Sequence, residues 1–155
     1  MPIQPRLDAA ALAERMADIK PAFSPQEARV EAARCLYCFD APCIASCPTG
    51  IDVPAFIKKI AVDNVTGAAR TILEANVLGA SCARVCPTQV LCEGACVMLD
   101  LEKKPIEIGR LQRFATDHVS ERGIDVLPAP AATTGRRVAV LGAGPAGLGC
   151  AAELA

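Results

Sequence analysis

Nine cysteines stand in 155 residues, and eight of them fall into two groups. The first, "CLYCFDAPCIASCP", carries Cys35, Cys38, Cys43 and Cys47; the second, "CARVCPTQVLCEGAC", carries Cys82, Cys86, Cys92 and Cys96. Their spacings read C-x2-C-x4-C-x3-C-P and C-x3-C-P-x4-C-x3-C. Gaps this short let one loop wrap several thiolates around one inorganic core, and a Cys-Pro junction stops helix growth and holds the loop open. Structural zinc would need four thiolates in tetrahedral array, and zinc-ribbon spacing is absent here. The opening stretch 1–20 is broken by Asp8, Glu14, Arg15 and Asp18 and lacks the apolar core of a signal peptide. The cytoplasm is therefore the expected compartment, and disulfides are the poorer reading. Iron–sulfur clusters are the expected occupants. Spacing leaves their division open: four and four in sequence order, or crossed so that one group lends a cysteine to the other's cluster.

A second chemistry sits near the carboxyl end. "GAGPAG" is G-x-G-x-x-G over Gly142, Ala143, Gly144, Pro145, Ala146 and Gly147. The apolar run Val138–Leu141 before it reads as a buried parallel strand, and a helix is expected from Pro145 onward. In that setting Gly142 permits a tight turn, Gly144 lets a pyrophosphate approach the backbone, and Gly147 allows close helix–strand packing. Amides at the helix start would face the phosphates of a dinucleotide. The acidic residue that holds the ribose is expected about 20 residues further on. The sequence stops at Ala155, inside that helix. The expectation is therefore the amino-terminal piece of a longer flavoprotein, with 136–155 poorly anchored by itself.

Helices must position the thiols. Leu7 to Lys20 has helical spacing; "SPQE" at Ser24–Glu27 is a capping box that starts a helix at Pro25, running to about Leu36 and delivering Cys35. Asp52 caps a stretch containing Phe56, Ile57 and Ile60, and Thr66 opens another that ends at Asn76. A loop is expected over 77–96. A longer helix is expected from Pro105 to Gly123, with Ile108, Leu111, Ala115 and Val119 on its apolar face and Phe114 alongside. Residues 124–135 read as a proline- and alanine-rich linker. The fold class is thus mainly α: a helical domain over 1–123, a linker over 124–135, and the first strand and helix of a Rossmann-type domain over 136–155. The formal net charge of −1 gives no footprint for nucleic acid. No apolar run is long enough to span a membrane. With aromatics at only 3%, the core is thin and aliphatic, so an inorganic cofactor would help to hold it.

The runs "RCLYCFDAPCIASCPTGIDVPAFI", "NVLGASCARVCPTQVLCEGAC", "PIEIGRLQRFATDH" and "VAVLGAGPAGL" together resemble the amino-terminal region of the dihydropyrimidine dehydrogenase family, in particular the flavin-bearing subunit of its two-subunit bacterial form. The small subunit of NADPH-dependent glutamate synthase shares the architecture, with a poorer match at "DAPC" and "GRLQRF". The resemblance implies an all-helical domain holding two [4Fe–4S] clusters ahead of FAD- and NAD(P)-binding domains. It implies one cluster on Cys35, Cys38, Cys43 and Cys96, and a second on Cys47, Cys86, Cys92 and Gln112, with Cys82 a spare thiol. It further implies electrons passing from NAD(P)H through FAD and the clusters to an FMN site that reduces uracil or thymine, on a partner subunit or downstream domain. This segment would conduct and dock, with no residue performing the bond chemistry. A stand-alone ferredoxin-like or zinc module is the non-enzymatic alternative.

The other chemistry-bearing residues have plainer expected roles. Cys150 is expected to be a small buried hydrophobe. His118 is expected at the surface or in packing. Arg84, Arg110 and Arg113 are expected to be solvated charges, and Lys58 and Lys59 an exposed helix face.

Overall fold

The computed structural model describes residues 8–18, 20–129, 132 and 134–155. Its described elements are helices: α1 (Ala9–Arg15), α2 (Pro25–Ala33), α3 (Pro42–Ala45), α4 (Val53–Ala61), α5 (Val65–Ala75), α6 (Gly79–Val85), α7 (Ile108–Ser120) and α8 (Pro145–Leu154). Two 3-10 turns, Thr88–Val90 and Val97–Leu99, lie in the second cysteine segment.

The helix starts follow local chemistry. At α2 the capping box closes in both directions: Glu27 N–H donates to Ser24 Oγ at 3.3 Å, and Ser24 N–H donates to Glu27 Oε2 at 2.7 Å. Asp52 accepts from Ala55 N–H at 3.0 Å to start α4, and Asn64 accepts from Gly67 N–H at 2.9 Å to start α5. Asp8 does the same for α1, at 2.7 Å from Ala11 N. That helix is shorter than the expected Leu7–Lys20 span; Leu7 and Ile19 lie outside the described residues.

Helices α2, α4, α5 and α7 pack around one core. Phe56, Ile57 and Ile60 of α4, Ile72 of α5 and Leu111 and Ala115 of α7 are fully buried. Ala28 and Ala32 of α2 and Ala68 and Ala69 of α5 are also fully buried, and these small side chains let the helix axes approach closely. The expected apolar face of α7 is the observed one, with Phe114 packed against the core from its edge. Phe56 is the one phenylalanine among the described residues that is wholly enclosed. Phe56→Ala is expected to cost about 3–5 kcal/mol, a large share of an ordinary domain's total, read from the denaturant midpoint at unchanged slope.

Several expectations are corrected. The α2 helix ends at Ala33, not near Leu36, because Tyr37 takes a left-handed backbone (φ 52°) that no helix continues. Thr66 does not open α5; Asn64 is the better cap, since its amide oxygen reaches a free backbone N–H. The 77–96 segment is not all loop, because Gly79–Val85 forms α6 against α7. Gly79 lets the start of α6 pass close to α5 as well: a Cβ there would lie 2.5 Å from Ile72 Cγ2. Helix α7 begins at Ile108 instead of Pro105, after an extended run that buries Ile106. The linker starts later than expected, since Val126 is in the core and its carbonyl accepts from Arg70 Nε at 3.1 Å.

The carboxyl-terminal stretch differs most. No strand forms at Val138–Leu141, and none is present among the described residues. A strand needs a neighbour for its N–H and C=O groups, and no second extended run is available there. Helix α8 does begin at Pro145, but none of its residues is buried, and Cys150 is exposed instead of packed. The start of a Rossmann domain is therefore not formed as a packed unit.

Candidate metal centres

The first cysteine segment is folded into a bowl. Left-handed Tyr37 reverses the chain between Cys35 and Cys38, held by its hydroxyl donating to Ala32 O at 3.2 Å and by Lys58 Nζ 4.7 Å from the ring centroid. The single turn α3 then presents Cys43. Across from them, the backbone leaving the second cysteine segment presents Cys96. Cys35, Cys38, Cys43 and Cys96 all line one narrow cleft, closed behind by Val53, Ile57, Met98, Ile106 and Ile108. Cys47 and Cys92 are not on its wall.

Burial pushes the Cys35 thiol up, and neighbouring thiols Cys38 and Cys96 add to the rise. Cys43 is pushed up to about 11 by burial first, then by Cys35 and Cys96. Thiolates gathered in an apolar cleft repel one another, and cationic iron is what relieves such a set.

Cys47, Cys82, Cys86 and Cys92 form a second neighbourhood, close enough for their charges to act on one another. Cys86 is raised by burial and by Cys82, Cys47 and Glu93; Cys92 is raised to about 12 by burial, then Glu93, Cys86 and Cys47. Cys47 behaves differently. Burial would raise it, but the Thr49 hydroxyl at 3.5 Å and the amides of Ile51, Thr49 and Gly50 outweigh burial and lower it. Gln112 is buried on α7, and its Nε2 donates to Gly79 O at 2.7 Å, which leaves the amide oxygen as the donor atom available to iron. Buried Thr116 fixes this turn of α7 by donating to Gln112 O at 3.0 Å. Cys82 sits on α6, where Asn76 Nδ2 donates to its sulfur at 3.1 Å.

No three His, Cys, Asp or Glu side chains converge as ligands of a single ion among the described residues. A cubane of four irons spreads its thiolates more widely than one zinc does, so the donor sets fit a cluster better than a lone ion. All nine cysteines are free of disulfides.

Residues 12–124 match the family model described as dihydropyrimidine dehydrogenase domain II, 4Fe-4S cluster. The chain belongs to that family. Over 131 residues it is 50% identical to the NAD-dependent dihydropyrimidine dehydrogenase subunit PreT of Escherichia coli O157:H7. It is 49% identical to the subunit of the same name from Escherichia coli strain K12, and 48% to the PreT homolog of Salmonella typhi. Each match takes in 84% of this chain and 31% of the relative, so the chain spans about a third of the length of these proteins.

The other singled-out residues have structural work within this 4Fe-4S domain. Arg84 pairs with Asp117 at 2.7 Å, and Arg113 pairs with both Asp18 and Asp117. Arg110 pairs with Glu107, donates to Pro21 O and stacks over the Phe23 ring at 3.7 Å. These arginines are therefore tied down, not simply solvated: Arg110 and Arg113 pin the segment before α2 onto α7, and Arg84 ties α6 to α7. Lys59 donates to Thr71 and is half-buried, while Lys58 is exposed. His118 is half-exposed, its imidazole lowered by burial and by nearby Arg122.

Sequence reading missed Glu93 and Thr88, both buried. The Thr88 carbonyl gathers the N–H groups of Leu91, Glu93 and Gly94, winding the Cys86–Cys96 segment around one oxygen. Gly94 is the signal that could have been used: a Cβ there would lie 2.4 Å from Gln89 O.

At the glycine turn, Gly142 has φ 103°, and a Cβ on Gly147 would lie 2.1 Å from Gly142 O. Both glycines are therefore required by the backbone. Gly144 caps α8, with Ala143 before it and Pro145 and Ala146 opening the helix.

Proposed function

We propose that this chain is the electron-transfer segment of an NADH-dependent flavin and iron–sulfur oxidoreductase that reduces uracil or thymine to the dihydropyrimidine. The observation that carries the reading is the match of residues 12–124 to a dihydropyrimidine dehydrogenase 4Fe-4S domain. The relatives' names supply the nicotinamide and mark each of them as one subunit of an assembly. By that analogy the partner bears an FMN site where the pyrimidine is reduced.

In this reading Cys35, Cys38, Cys43 and Cys96 hold one cluster, and Cys47, Cys86, Cys92 and Gln112 hold the second. Bound there, a [4Fe–4S] cluster supplies one-electron storage, converting the two-electron chemistry of a flavin into single transfers. The chain's own residues do the rest. Val53, Ile57, Ile106 and Ile108 keep water from the back of the first set, and the Thr49 hydroxyl and loop amides favour the thiolate form of Cys47 over its usual balance. Gln112 offers an oxygen, a harder donor than thiolate. The segment Gly142, Ala143, Gly144, Pro145, Ala146, Gly147 is proposed to receive the FAD pyrophosphate once the rest of its domain packs on α8.

Iron and acid-labile sulfide analysis of the anaerobically purified chain tests this. About eight irons and eight sulfides per chain are expected from two four-iron clusters. Zinc without sulfide would overturn the reading, and uracil-dependent oxidation of NADH by the assembled enzyme checks the substrate.

A further inference from the structure

Glu93 follows Cys92 directly and is 7% exposed. Its Oε1 accepts a hydrogen bond from Gly109 N–H at 3.0 Å, at the second residue of α7. That helix has no cap of its own: Glu107, at the capping position, makes no side-chain bond to the first turn. Glu93 therefore caps α7 from sixteen residues away in sequence, and the partial positive charge of the helix start favours a carboxylate there. Gln112 lies three residues further along the same helix. The bond thus fixes the cysteine segment against the helix that carries the one non-thiol donor.

The carboxylate also shares a cleft wall with Cys86, and its charge acts on both the Cys86 and Cys92 thiols. Arg84, Arg110, Arg113 and Lys20 line that cleft; the three arginines are committed elsewhere, and Lys20 is exposed. No lysine or arginine among the described residues forms an ion pair with Glu93. A carboxylate's charge this close to a site, with no cationic partner beside it, raises the free energy of adding an electron there.

We propose that Glu93 is a positioning residue that sets the two clusters apart in reduction potential, holding the one at Cys47, Cys86, Cys92 and Gln112 low while leaving the one at Cys35, Cys38, Cys43 and Cys96 untouched. The proposal rests on the two-cluster assignment above. Its consequence is a downhill order within a single domain, since the second site gives up electrons to the first.

The test is an anaerobic redox titration of the cluster-loaded full chain followed by EPR. Cys43→Ala and Cys86→Ala first identify which signal belongs to which site. Glu93→Gln keeps an oxygen for Gly109 N–H and removes the charge. It is expected to retain wild-type iron and sulfide and to shift the reduced-to-oxidised ratio of the second cluster about tenfold toward reduced, about 59 mV for one electron. The first cluster should titrate as in wild type. Glu93→Asp, which keeps the charge, should stay near wild type. Unchanged potentials in Glu93→Gln would overturn the proposal. So would loss of the cluster in that variant, because a charge that tunes a site is not needed to build it. If the wild-type chain carries fewer than two clusters, the underlying assignment fails, and that is read before any variant is made.

Discussion

Cys96→Ala is expected to remove one cluster, so that iron falls from about eight toward about four per chain. The EPR signal it loses should be the one lost in Cys43→Ala, although 43 and 96 lie in different sequence groups. The physical ground is the shared cleft: Cys96 lies on the same apolar wall as Cys35, Cys38 and Cys43. Cys82→Ala is expected to leave both clusters in place, because its sulfur, midway along α6, is engaged by Asn76. A division in sequence order makes the opposite forecast, in which Cys96→Ala and Cys82→Ala silence one and the same signal. The pair of variants therefore separates the two arrangements by which signal disappears.

Gln112→Ala is the second large effect. It deletes the proposed oxygen ligand and also leaves the Gly79 carbonyl without its donor, which by itself costs about 1–3 kcal/mol. Loss of stability alone would therefore prove nothing about iron. The expected result is loss or marked alteration of one EPR signal, the one shared with Cys86→Ala, while the Cys43 signal persists. Gln112→Glu keeps an oxygen at the same reach and is expected to retain the cluster even though it gives up the bond to Gly79. Wild-type signals for both clusters in Gln112→Ala would remove glutamine from the ligand set.

The helical scaffold was legible because its signals are local. Ser24 with Glu27, Asp52 before its apolar run, and the Ile108–Leu111–Ala115–Val119 stripe each act within one or two turns. The iron–sulfur character was equally legible, since it follows from cysteine count and spacing. Which thiols share a cleft was not, because spacing left both divisions open; the crossed set came from family resemblance. Glu93 was invisible for a related reason. Its value comes from a bond to Gly109, and nothing in the letters E and G announces a contact across that distance. The strand expected at Val138–Leu141 shows the converse failure. Its pattern is sound, but a strand is a property of a pair, and no partner strand lies beside it among the described residues.

The cleft that unites Cys43 with Cys96 has a consequence for how the protein is made. The two thiols are 53 residues apart (96 − 43), and the wall behind them is finished only at Ile108. At synthesis rates of about 5–20 residues per second, the first three thiols emerge on the order of several seconds before the fourth exists. For that interval they face oxygen and stray metals with their bowl incomplete. On the proposed assignment, iron insertion at this site belongs after both cysteine segments have left the ribosome, and a shortage of iron would leave Cys43 and Cys96 joined only through the helical core that α2, α4, α5 and α7 build.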